Sequence, residues 1–186
     1  MTNKRNRTRA LVEGAILIAA AEVLGFIKLW HMPEGGSVSL MMLPMVIYGL
    51  RWGLGRGLLA GLALGILDFM LGGGFAIGWQ SILGDYVIAL ALLGLAGLGH
   101  KKGLPGIVFG SVLACLGRFL SIWVTGAVVW GEYMYDIYGL PMTNEWLYSF
   151  LYNIPILISS IITVLLCIAL YNLKPLRTYL LGNDIT

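Results

Sequence analysis

Four ionisable side chains, Glu22, Asp68, Asp85 and Arg118, are embedded in long apolar runs of this sequence. A charge in hydrocarbon is costly, so such groups pair with one another, line a ligand site or serve an ion path. Asp85 adjoins Tyr86, and Trp79 and Gln80 lie one to two turns before it. A carboxylate beneath a rim of aromatic rings suits a flat organic cation. The acid supplies charge and hydrogen bonds, while the ring faces supply stacking and cation–π attraction. Tyr148 and Tyr152, four apart, share a helix face with Asn153 close by. Ser121, Trp123, Thr125 and Trp130 fall at a similar depth of the preceding run. Taken singly, each aromatic also fits an interfacial belt or packing; their concentration at one depth points to a binding site. Arg118 keeps two readings, a structural ion pair or a functional charge. Catalysis has little support, because no H-E-x-x-H, G-x-S-x-G, P-loop or cysteine cluster is present and Ser121 has no nearby histidine. His31 and His100 stand apart from metal partners, and Cys115 and Cys167 read as small packing residues. No metal and no cofactor are expected.

Helices must hold these residues. Of 186 residues, 59% are hydrophobic and 11% charged, whereas a water-soluble domain carries about a quarter charged residues. Six apolar runs, about 10–30, 38–50, 54–71, 77–98, 105–130 and 146–171, approach the roughly 20 residues that a helix needs to cross a bilayer. Only helices satisfy their own backbone groups there without an edge problem. The expectation is an all-α integral membrane protein, one six-helix domain over 1–186, with no room for a nucleotide-binding domain. The N-terminal run is too long for a signal-peptide core and is expected to be retained. Lys4, Arg5, Arg7, Arg9, Arg51, Arg56, Lys101, Lys102, Lys174 and Arg177 all fall on one side of this plan, and Glu34, Glu132, Asp136 and Glu145 on the other. Positive charge collects in cytoplasmic loops, so both termini are expected inside. The net charge of +3 then reflects membrane anchoring and not nucleic-acid binding. Gly57, Gly61 and Gly65 recur every four residues and predict a close helix contact. Ala15 and Ala19 form a second small face, for internal packing or for another protein. The aromatics of the 131–145 connection suit an interfacial belt or a lid.

Over nearly its whole length the chain resembles the substrate-binding membrane subunits (S components) of energy-coupling factor vitamin importers, most closely the thiamine-specific branch. The resemblance rests on Leu11-Val12-Glu13 with Ala15 and Ala19, on Met32-Pro33-Glu34-Gly35-Gly36-Ser37-Val38-Ser39-Leu40 with Leu43-Pro44, and on Leu50-Arg51-Trp52-Gly53. It continues through Gly84-Asp85-Tyr86, Gly117-Arg118-Phe119 with Thr125-Gly126, and Tyr148-Ser149 followed by Tyr152-Asn153. It implies a prokaryotic plasma-membrane subunit that captures thiamine or a related small cationic aromatic ligand from outside with high affinity. Such a subunit docks through Ala15 and Ala19 on a shared transmembrane coupling subunit that itself sits on two ATPases. Asp85, Tyr86, Trp130, Tyr148 and Asn153 would meet the ligand, and segment 32–40, with Gly35 and Gly36, would form a lid.

The chain departs from that pattern at particular places. The usual histidine one turn beyond Arg118 is Ile122, and aromatic positions of some members are Leu64, Phe75 and Gly35. An unpaired polar atom on a ligand costs about 1–3 kcal/mol. Either Trp79, Ser121 or Trp123 compensates, or the ligand is a related pyrimidine or thiazole compound or another vitamin. A membrane protein whose small faces serve packing alone is the reading from another class; it predicts no ligand.

Overall fold

Apolar runs that cannot leave backbone groups unbonded in lipid fold here into helices almost throughout. A computed structural model describes residues 2–31, 37–72, 75–137 and 139–185. Helix α1 is Thr2–Phe26, α2 Met42–Trp52, α3 Leu54–Leu71, α4 Trp79–Gly99 and α5 Gly103–Val128. Then follow α6 Glu145–Tyr152, α7 Ile154–Asn172 and α8 Lys174–Leu180. Between α1 and α2, strands β1 (Trp30–His31) and β2 (Ser37–Val38) pair antiparallel, with Trp30 opposite Val38. Among the described residues, α3, α4, α5 and α7 are long and apolar enough to cross a bilayer. Gly35 and Gly36 lie outside the described residues.

The elements differ from the sequence expectation where local chemistry intervenes. Helix α1 starts well before residue 10, and Arg9 supports its first half through an ion pair with Glu13 one turn on. Helix α2 starts only at Met42, because β2 takes the front of that run. The last expected span divides into α6 and α7 at Asn153. Asn144 Oδ1 caps α6 by accepting from the Leu147 amide at 3.0 Å, and Pro155 sits in the first turn of α7, where a missing N–H is harmless.

The glycine face of α3 meets α4 as its spacing predicts. A Cβ on Gly57 would stand 2.9 Å from the Gly94 carbonyl oxygen, on Gly61 2.3 Å from that of Leu90, and on Gly65 2.6 Å from that of Tyr86. The two backbones therefore touch without side chains between them, and this contact fixes α4. Met42, Met45, Leu64, Leu90, Leu93 and Ile107, all buried, fill the space beside it.

Helix α4 is composite: α-helical at Trp79–Ser81 and Ala89–Ala91, a wide π-helical turn over Ile82–Ile88, and the tighter 3₁₀ form over Leu92–Gly99. Wide turns of this kind occur mostly as local bulges, often at functional sites. Helix α5 braces this one from the side. Ser121 Oγ donates to the Gly84 carbonyl at 2.7 Å, and a Cβ on Gly84 would lie 2.0 Å from Thr125 Oγ1.

Candidate ligand-binding site

The wide turn carries Asp85 and Tyr86 to the wall of a cavity of about 680 Å³, a size suited to a small ligand. Trp130, just beyond α5, Tyr148, in the middle of α6, and Asn153, just past its end, line the same cavity. Thus Asp85, Tyr86, Trp130, Tyr148 and Asn153, chosen from the sequence, are brought together. Among the described residues the lining holds one carboxylate and no lysine, arginine or histidine. Trp130 Nε1 donates to Asp85 Oδ2 at 2.9 Å, which orients the carboxylate and occupies one of its oxygens. Phe75 stacks on Trp130 with centroids 5.4 Å apart and planes 23° apart. The Tyr86 hydroxyl holds the Phe75 segment by donating to its carbonyl at 3.2 Å.

The opposite wall is phenolic. Tyr148, buried, stacks on Tyr152 at 6.0 Å and meets Tyr135 edge-on at 5.6 Å. Asn153 is oriented from below, its Nδ2 donating to the Ser149 carbonyl at 2.8 Å. Ser149 Oγ in turn donates to the Trp123 carbonyl at 2.7 Å and so ties α6 to α5. Aromatic walls beside an acid can take a flat cationic ring, with stacking on its faces and a hydrogen bond at its edge.

Three residues singled out from the sequence stand off the cavity wall. Trp79 is 67% exposed. Trp123 turns away, stacks on Phe119 and donates to the Trp146 carbonyl at 2.9 Å. Ser121 acts on the Gly84 backbone. In their place the wall gains Phe75, Tyr133 and Tyr135; Tyr152 lines it beside Tyr148, and Ile122 contributes an apolar surface. The tyrosine-rich 131–145 connection was the signal for two of these. Ala15 and Ala19 are exposed on α1, flanked by Leu11, Ile16 and Val23, which are more than half exposed. Arg118 takes part in no ion pair among the described residues, and its Nε is buried without a hydrogen-bond partner. Asp68 lies within electrostatic reach of it.

Helices of bilayer length around a cavity walled by aromatic rings and Asp85 are the features of a multi-pass membrane protein. Residues 11–180 match the family described as Thiamine transporter protein (Thia_YuaJ), and the chain belongs to that family. It is 31% identical to thiamine transporter ThiT of Bacillus subtilis (strain 168) over 182 residues, covering 89% of this chain and 92% of that relative. The solved structure of ThiT from Listeria monocytogenes, 23% identical, covers 96% of this chain and 97% of its own with a TM-score of 0.71, so the two share a fold. The chain is accordingly a transport protein of the cell membrane and not an enzyme.

Proposed function

We propose that this chain is the thiamine-capturing subunit of an energy-coupling factor importer, with six spans, both termini cytoplasmic and the cavity facing outward. The observation that carries the reading is Asp85, among the described residues the one carboxylate in a cavity walled by tyrosine and tryptophan, with no competing cation among them. A flat cation enters from the side bearing Glu132 and Asp136, stacks between Trp130 and the tyrosines, and presents its hydrogen-bonding edge to Asp85 and Asn153. Membership of the thiamine transporter family and likeness to the Bacillus subtilis thiamine transporter support thiamine as that cation. Gly35 and Gly36 serve a lid in this reading. Ile122 in the wall supplies no hydrogen bond where the family pattern has one, so the pyrimidine and thiazole halves of thiamine belong in the same test.

In this reading transport needs a coupling subunit and two ATPases, in keeping with a sequence that carries no P-loop motif. The exposed Ala15 and Ala19 face of α1 is the proposed contact, because small side chains let helices approach closely in lipid. Calorimetric titration of the purified protein with thiamine and with each half tests the ligand. Saturable binding of thiamine is expected, and silence at micromolar concentration refutes it. Ala15→Trp with Ala19→Trp should abolish uptake and leave binding intact; an equal loss of binding would make that face internal packing.

A further inference from the structure

The end of the bundle opposite the cavity carries a set of charges that ligand binding does not use. Arg51, near the end of α2, is completely buried and finds an acceptor for each of its five N–H groups. Nε donates to Glu13 Oε2 at 2.5 Å, while Nη2 donates to Glu13 Oε1 at 3.0 Å and to Asp184 Oδ2 at 2.8 Å. Nη1 donates to Asp184 Oδ1 and to the Tyr179 carbonyl, both at 2.6 Å. The guanidinium also lies 3.8 Å from the centre of the Tyr179 ring. Glu13 accepts further bonds from Arg9 Nε and Trp52 Nε1, each at 2.8 Å. Arg9 in turn donates to the Asp184 carbonyl at 3.1 Å and to its carboxylate.

These partners come from α1, α2, the last turn of α8 and the segment after it, which apart from the last two lie far apart in sequence. The tail is seated by more than charge. Leu180 and Leu181 are buried, and Gly182, at φ +62°, is pressed against the Arg51 carbonyl, where a Cβ would stand at 2.9 Å. A left-handed residue this close to a carbonyl is best served by glycine. Buried ion networks add little net stability over an apolar core of the same volume. Their particular effect is that they accept only one arrangement, because any shift leaves a buried charge unpaired. Nearby, α1 is otherwise held to α2 by the Tyr48 hydroxyl, which donates to the Ala10 carbonyl at 3.0 Å. On its outward face Leu11, Val12, Ile16 and Val23 are exposed among the described residues.

We propose that the C-terminal tail, residues 179–184, is a latch that fixes the Arg9–Glu13 turn of α1 and so sets how α1 presents its outward face to a protein partner. The presenting half rests on the docking role proposed above for Ala15 and Ala19; the latch itself does not. Asp184 is a positioning residue that acts through Arg51 and Arg9.

The test uses the full protein with Asp184→Asn, and separately the chain ended after Asn183. It reads amide hydrogen exchange over residues 5–14, calorimetric thiamine binding, and uptake of labelled thiamine by cells. Exchange in that turn should quicken about tenfold, the loss of roughly one charge-assisted hydrogen bond. Binding should stay within about twofold, and uptake should fall about fivefold or more, the lower end of ordinary coupling between sites. Where Asp184→Asn does not fold, Arg9→Gln cuts one strand of the knot while Arg51 stays paired, and should give the same pattern at smaller amplitude. Unchanged exchange in every variant overturns the latch. Faster exchange with full uptake overturns its presenting role, provided that Ala15→Trp blocks uptake. If Ala15→Trp also leaves uptake intact, it is the docking reading that fails.

Discussion

Replacing Asp85 by asparagine removes a charge while leaving the shape of the cavity in place. The amide oxygen can still accept from Trp130 Nε1, which now donates to Oδ2 at 2.9 Å, so the wall should keep its form. What the ligand loses is worked out from two contributions. A hydrogen bond to a charged group is worth about 1.5–3 kcal/mol net, against about 0.5–1.5 for a neutral one, a difference of about 1 kcal/mol. Coulomb attraction to a cation about 5 Å away contributes a further ~3 kcal/mol at an effective dielectric of 20, before the cost of desolvation offsets much of it. A net loss of about 2 kcal/mol corresponds to about 30-fold weaker binding. Calorimetry on intact protein in detergent reads this directly, and an unfolding scan on the same sample guards against misfolding. Trp130→Phe is the companion: it keeps a ring for Phe75 to stack on and frees the carboxylate, so its loss should be smaller, about 0.5–1.5 kcal/mol. A folded Asp85→Asn protein that binds thiamine within about threefold of the parent would refute the assignment of Asp85 as the ligand's acid.

Further outcomes follow from the packing and from the tail. Gly61→Ala, whose Cβ would lie 2.3 Å from a backbone oxygen of α4, should cost about 1–3 kcal/mol in thermal unfolding. Gly55→Ala, with nothing within 4 Å, should be neutral or slightly stabilising by up to about 1 kcal/mol. Gly84→Ala should weaken ligand binding by displacing the wide turn against Thr125, and adding Thr125→Ala should restore part of it; no rescue would mean that α5 does not set the turn. Hydrogen bonds from Arg51, with help from Arg9, hold the Asp184 carboxyl below the usual aspartate range. A depressed folded-state value means that this contribution is complete at neutral pH and is lost as pH falls below about 3.9 toward the folded-state value. Unfolding temperatures measured from pH 7 down to 3 should therefore drop less steeply in Asp184→Asn.

The residues that recur at helical spacing were the ones readable in advance. Gly57, Gly61 and Gly65 required only a period of four to predict a shared face, and that face is the α3–α4 contact. Tyr148 and Asn153 were likewise legible from their spacing. Trp79 was misplaced because counting turns back from Asp85 assumes a regular α-helix, and the Ile82–Ile88 turn is wider. Trp123 was misplaced by a single residue of rotation, about 100°: its neighbour Ile122 faces the cavity. Tyr133 and Tyr135 sit in a connection with no periodicity to read. The knot at Arg51 was invisible for another reason. Its members at 13, 51 and 184 are joined only by the tertiary fold; Arg51 has a sufficient local explanation as a charge of a cytoplasmic connection, and nothing in the sequence marks Asp184 as its partner.

The bond between Trp130 and Asp85 also has an optical consequence. Of six tryptophans, Trp130 alone borders the cavity. At equal yields it emits about one-sixth of the light, so full quenching by a ligand would leave most of the intensity unchanged. Its indole N–H is tethered to a carboxylate, and a cation that draws on the same carboxylate alters the field across the ring as well as its brightness. Occupancy should therefore appear as a change in the colour of a small difference spectrum. A protein with Trp30, Trp52, Trp79, Trp123 and Trp146 changed to phenylalanine would carry that signal without background.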